Sequence, residues 1–315
     1  MNLFTSKLDS PGRFTIARAP EGRAALAVAE LVYGAARRTV IHIARDDSGM
    51  ARMADMLAFF APALDLSTLP AWDCLPYDRV SPNGEVVARR LDILTRIAGG
   101  ETPRLVLTTA SAAVQRIAPR AAFKEATLQA AVGDQIDPDR LKSFLVGNGY
   151  NRAATVRETG EYAVRGGIVD IFPPGAATPL RLDFFGDTLE GVRAFDAMSQ
   201  RSAGALDGFQ LRPVSEVLLD DASIARFRSN YRSLFGVASD DDPLYESVSA
   251  GRRYIGMEHW LPLFHEGLET LFDYLPGALI ALDHEVETVI EERFEMIADY
   301  YDARHSMLTR NRART

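Results

Sequence analysis

Lysine is nearly missing from this chain. Lys7, Lys124 and Lys142 are the only lysines among 35 basic residues, so arginine carries almost all the positive charge. That excess has two readings, fork-shaped recognition sites or a codon bias across the genome. Cysteine is scarcer still: Cys74 alone excludes an internal disulfide framework and a multi-cysteine zinc site, and it fits a reducing cytoplasm. No stretch approaches the roughly 18 unbroken apolar residues of a membrane-spanning helix. The start, Met1 to Lys7, has no apolar run behind a basic segment and does not read as a secretory signal. Positive charge is also in deficit overall. The 35 basic residues face 43 acidic ones for a net charge of −8, which argues against a protein that mainly coats nucleic acid.

What is present is ordinary globular composition: 315 residues, 47% apolar and 25% charged, enough for about two domains of roughly 100–200 residues each. The first 124 residues alternate strand and helix patterns. Residues 14–17, 39–44, 64–69 and 104–109 read as strands, and residues 23–36, 50–60 and 85–98 as helices, with Asp46-Asp47-Ser48 as a cap. Such alternation indicates a parallel sheet in an α/β domain. From about residue 125 the pattern changes. A helix over 138–145 precedes strand-like pieces at 155–158, 161–164, 168–172, 180–184 and 191–195, separated by Arg165-Gly166-Gly167, Pro173-Pro174-Gly175 and Gly186-Asp187. This is a small α+β domain with a mostly antiparallel sheet, ending near 213. Residues 214–315 read as mainly helical, with helices over 220–234 and 286–307 and an acidic loop at 236–243.

Motifs for catalysis are few. Where a phosphate-cradling loop would sit, the turn from Ala19 holds Glu21, Gly22 and Arg23 but has one glycine and no Lys-Ser/Thr pair. An ordinary strand-to-helix connection is expected there, with no bound cofactor. His265-Glu266 begins like a helical zinc pair, but position 269 is Glu and no third ligand is evident. Cys74 has no base beside it in sequence, and no nucleophile-elbow serine is present. Paired carboxylates such as Glu291-Glu292 read as a solvated helix face. No catalytic residue and no metal site is expected.

The middle segment is the informative one. In 180–184, alternation puts Leu180, Leu182 and Phe184 on one face and Arg181 and Asp183 on the other. Arg165 stands before a glycine pair, and Phe185 lies at a strand end. Two readings remain open. An arginine-plus-aromatic patch is hot-spot chemistry for a protein partner. Alternatively Phe185 fills the core, and the arginines pair with Glu158, Glu161 or Asp183.

The run Glu161-Tyr162-Ala163-Val164-Arg165-Gly166-Gly167-Ile168-Val169-Asp170-Ile171-Phe172-Pro173-Pro174, continued by Arg181-Leu182-Asp183-Phe184-Phe185-Gly186-Asp187, resembles the UvrA-binding domain shared by UvrB and the transcription-repair coupling factors. Leu69-Pro70-Ala71-Trp72-Asp73, Val86 onward to Leu94, Gly256-Met257-Glu258-His259-Trp260 and Leu271-Phe272-Asp273-Tyr274-Leu275-Pro276 extend the resemblance to the N-terminal, UvrB-like region of the coupling factors over nearly the whole chain. The resemblance implies a degenerate RecA/UvrB-like parallel-sheet domain (1–124, completed by 214–315) with an inserted UvrA-binding α+β domain (125–213). It implies an adaptor in transcription-coupled nucleotide excision repair that recruits UvrA to stalled RNA polymerase in the cytoplasm. The UvrA-contacting positions fall on Arg165, Arg181 and Phe185. Two departures from UvrB, the eroded turn and a run at 76–85 too short for a damage-gripping hairpin, put helicase activity in doubt. ATP and Mg²⁺, duplex DNA and RNA polymerase would then be engaged by domains further along a longer protein. A C-terminal domain of that protein would mask the UvrA-binding surface at rest. A UvrB-like helicase or a DNA-binding module is the alternative reading.

Overall fold

The computed structural model describes residues 12–36, 38–75, 77–236 and 242–312, the last six without their side chains. Numbered along the chain, the strands are β1 (Val40–Ala44), β2 (Leu66–Leu69), β3 (Leu105–Thr109), β4 (Leu128–Ala131), β5 (Asn151–Arg152), β6 (Glu161–Arg165), β7 (Ile168–Ile171), β8 (Leu180–Phe185), β9 (Thr188–Phe195), β10 (Ser202–Leu206), β11 (Gly208–Leu211) and β12 (Leu279–Leu282). They fall in two compact units. One takes the chain up to Ala71, Gly100–Arg116 and the chain from Glu269 onward; the other takes Trp72–Gly99 and Ile117–Leu268. Residues 72–99 and 214–268 therefore group with the middle of the chain, a different division from boundaries near 124 and 213.

The first unit is a four-stranded parallel sheet in the order β12-β1-β3-β2. All five residues of β1 and of β3 are buried, as parallel strands covered on both faces require. Helices Glu21–Gly34 and Asp47–Phe60 supply Ala25, Val28, Val32, Met53 and Leu57 to the core with Leu105 and Leu107. Asp46 caps the second helix by accepting from the Gly49 amide at 2.7 Å, as its place before that helix suggests.

The second unit carries a six-stranded sheet, β10-β9-β8-β7-β6-β5, and the separate antiparallel pair β4–β11. Helix Pro138–Gly147, started by Asp137 and a proline in its first turn, drives Leu141 and Leu145 against Val169, Ile171, Leu182, Leu189 and Val192. Helix Gly84–Ala98 buries Arg90, whose Nε donates to Glu216 at 2.6 Å, while the Trp72 indole donates to the same carboxylate at 2.8 Å. Helix Asp221–Phe235 opens on a capping box between Asp220 and Ser223 and stacks Phe227 on Phe264, 4.9 Å between centroids.

Several expected elements differ. Residues 14–17 form no strand; Phe14 and Ile16 are exposed rather than laddered. Residues 155–158 are irregular, because the Glu161 carboxylate takes the amides of Arg157 and Glu158 at 2.8 and 3.0 Å, groups that a ladder would have used. The stretch taken as mainly helical contains β12, which pairs in parallel with β1. β4, β5, β10 and β11 have no counterpart among the strands expected from the sequence. Most of the acidic loop expected at 236–243 lies outside the described residues.

Candidate protein-docking site

Four central strands of the second unit, β6 to β9, form two consecutive hairpins. Arg165 pairs with Ile168 around Gly166-Gly167, and Phe185 pairs with Thr188 around Gly186-Asp187. Gly166 and Gly186 both have φ of +60°, the conformation that two-residue hairpin turns beginning with glycine demand. Gly167 is needed for a second reason. The Phe184 amide donates to its carbonyl at 2.7 Å, and a Cβ on Gly167 would lie 2.6 Å from the Phe184 carbonyl oxygen. One hairpin tip is thereby fastened to the strand that ends in the other.

Register assigns the faces. Ile168 lies opposite Asp183, Asp170 opposite Arg181, and Arg181 opposite Arg193. Alternation then places Arg165, Ile168, Asp170, Arg181, Asp183, Phe185 and Arg193 on one face, while Val169, Leu182 and Val192 point into the core. The slip in register after Asp183 adds its extra residue, Glu190, on β9, so β8 keeps its alternation and Phe185 stays with Arg181.

The centre of this face is a carboxylate. The Asp170 side chain is 2% exposed, and it accepts from Arg181 through Nε at 2.7 Å and Nη2 at 2.9 Å, a bidentate fork. Arg165 donates from Nη2 to Oδ2 of the same carboxylate at 3.3 Å. The Arg181 guanidinium also lies over the Phe195 ring, 4.7 Å from its centroid. Its pKa is raised above the ordinary arginine value, chiefly by the hydrogen bond to Asp170. Beside it Arg193 pairs with Asp183 at 2.5 Å.

Each expected partner-binding residue is thus on one surface. Phe185 is 76% exposed at the hairpin tip and fills no core. Arg165 keeps 53% of its side chain exposed; Arg181 keeps 17%. Their carboxylate partner is Asp170 rather than Glu158, Glu161 or Asp183. Sequence reasoning missed Asp170, although a charged residue inside Ile168-Val169-Asp170-Ile171-Phe172 is the signal that would have found it.

Elsewhere the chemistry is sparse. Glu21, Gly22 and Arg23 open helix Glu21–Gly34, with Pro20 at its cap and no side-chain cap bond. Glu21 pairs with Arg52 at 3.3 Å and Arg23 with Glu30 at 3.5 Å. Cys74 Sγ lies 3.7 Å from His259 Nε2, but that nitrogen also lies 3.0 Å from the Val80 carbonyl oxygen and so serves as a donor there. Burial pushes the Cys74 thiol up to about 11, far from thiolate at neutral pH. His265 is lowered to about 4 by desolvation, and Glu266 reaches Arg226 at 4.0 Å. Among the described residues no group of three or more His, Cys, Asp or Glu side chains could hold a metal ion, and no helix is long and apolar enough to cross a membrane.

Residues 128–216, which contain this face, match the UvrB interaction domain. The chain is also similar to curated relatives described as transcription-repair-coupling factors. The one from Haemophilus influenzae is 34% identical over 284 residues, 90% of this chain and 24% of that protein. That from Escherichia coli is 35% identical over 258 residues, 81% of this chain and 22% of that protein. That from Myxococcus xanthus is 37% identical over 256 residues, 78% of this chain and 21% of that protein. The chain spans under a quarter of the length of these relatives. Residues 128–216 therefore form a UvrB interaction domain, set in a chain homologous to part of the bacterial transcription-repair-coupling factors.

Proposed function

We propose that this chain is a docking adaptor for UvrA in transcription-coupled nucleotide excision repair, and that the face carrying Arg165, Arg181 and Phe185 is the contact surface. The observation that carries the reading is a 76% exposed phenylalanine on the same face as the arginines of a glycine-turned sheet, inside the UvrB interaction domain. A rigid aromatic anchor flanked by arginine suits a partner offering an apolar pocket rimmed by carboxylates. By holding UvrA, the adaptor brings it to stalled RNA polymerase in the cytoplasm. RNA polymerase and duplex DNA are engaged by other parts of a longer protein, as are ATP and Mg²⁺ by its motor domains, and a C-terminal domain of that protein masks this face at rest.

The first unit is read as a RecA/UvrB-like sheet without ATPase activity of its own. Three features support that part. No strand precedes helix Glu21–Gly34 among residues 13–20; Pro20 brings no N–H to its cap; Glu21 sets negative charge where phosphate would approach. Added ATP and Mg²⁺ should leave the thermal midpoint unchanged, because only a ligand of the native state raises it. A rise in midpoint would revive the helicase alternative. Docking is tested by competition: saturating chain should displace UvrB from UvrA, since both present the same class of domain. A UvrA–UvrB complex that persists unchanged would overturn the shared-surface reading.

A further inference from the structure

On the docking face, two cations converge on one carboxylate. Asp170 is 2% exposed, so its charge is held away from water and its oxygens are satisfied by arginine. The two arginines are not equivalent. Arg181 commits Nε and Nη2 to Asp170, lies over the Phe195 ring, and keeps only 17% of its side chain exposed. Arg165 makes one longer contact, 3.3 Å, and keeps 53% of its side chain in solvent. A guanidinium engaged at two of its nitrogens and set over a ring has little left to offer a partner. One that is tethered at a single nitrogen is aimed and still available.

We propose that Asp170 is the positioning residue of this face. It fixes Arg181 as part of the frame and aims Arg165, so that Arg165 and Phe185 meet the partner while Arg181 and Asp170 act through them. The inference rests on the UvrA-docking reading and deepens it. It also defines the partner chemistry: one acidic group within reach of Arg165, beside an apolar pocket for Phe185, because Arg181 already has its carboxylate.

Simple electrostatics and positioning predict opposite signs for one substitution. Asp170→Asn removes a negative charge from a basic face. If the arginines bound UvrA carboxylates as independent charges, the variant would bind as tightly as the parent chain or more tightly, most clearly at low salt. If Asp170 positions them, binding weakens by about tenfold, the effect of losing roughly one well-aimed charged contact. The experiment measures UvrA affinity for the parent chain, Asp170→Asn, Arg165→Gln and the double variant, with circular dichroism and thermal midpoint confirming the fold. The expected result is a loss of about tenfold for Asp170→Asn alone and little further loss when it is added to Arg165→Gln. Should Asp170→Asn fail to fold, Arg181→Lys takes its place. It keeps the charge but not the fork, and it should weaken binding to a similar degree. Unchanged or tighter binding by Asp170→Asn, full additivity in the double variant, or parental affinity in Arg181→Lys would each overturn the inference while leaving the docking reading intact. No UvrA binding by the parent chain would overturn both.

Discussion

Among the described residues of the second unit, two arginine–carboxylate assemblies are built on a buried carboxylate, and they differ in what they leave exposed. In the first, Arg90 and Glu216 are both within 1% of complete burial, and Trp72 closes the carboxylate from the side. Every charge there is consumed internally, and nothing is offered to solvent. In the second, Asp170 is about as deeply buried as Glu216, yet its arginines climb outward from 17% to 53% exposure on the face that also carries the solvent-exposed Phe185. Burial of the anion is common to both. Exposure of the cation separates a structural pair from a surface that can recognise something.

The largest test of that contrast is Glu216→Ala. Removing one member of a buried pair strands the other, at a cost of about 3–5 kcal/mol. Chemical denaturation should show a loss of that size, and a loss under about 1 kcal/mol would show that Arg90 finds water instead.

Next is a buried titratable group in the first unit. His42 lies in the central strand β1 with Nδ1 unpartnered, and desolvation lowers its pKa from 6.5 to about 4 despite the opposing pull of Asp283. The folded value is below the unfolded one. Its contribution is therefore complete above about pH 6.5 and is lost as the pH falls toward 4. The loss across that window is about 3 kcal/mol. In His42→Val the slope of unfolding free energy against pH should shrink by about one proton between those limits; an unaltered slope would assign the acid sensitivity elsewhere.

Gly167→Ala comes third. Its Cβ would meet the Phe184 carbonyl at 2.6 Å, and the backbone shift needed should cost about 1–3 kcal/mol. Because that contact fastens the hairpin tips, UvrA affinity should fall together with the thermal midpoint. Phe185→Ala should separate the two: stability within about 0.5 kcal/mol of the parent, binding weaker by about 1–3 kcal/mol. A drop in the midpoint would mean that the ring packs rather than projects.

The parts of this fold that were legible in the sequence are those with a strong period or a local stop signal. Helix Gly84–Ala98, the cap at Asp46, and the two hairpins with their glycine turns could all be placed from spacing and turn chemistry. β10 could not, because Ser202-Ala203-Gly204-Ala205-Leu206 is exposed throughout and has no apolar alternation to read. β12 could not, because four apolar residues are too short to distinguish strand from helix. Its place beside β1 is set by pairing across more than 230 positions of chain. At the site, the arginines and Phe185 were visible as residues, whereas the carboxylate that organises them was not. Asp170 becomes their partner only through the β7–β8 register, which sets it directly opposite Arg181. A sequence shows the charges; the ladder decides which of them meet.

The central claim is that this face docks UvrA, and affinity for purified UvrA tests it most directly. The chain is to be measured beside a folded Arg165→Ala/Arg181→Ala/Phe185→Ala variant. The account predicts that the parent chain binds and that the variant's affinity falls by at least about a hundredfold, as expected when several hot-spot groups are removed together. Equal affinity in the two would move the interface off this face and contradict the account.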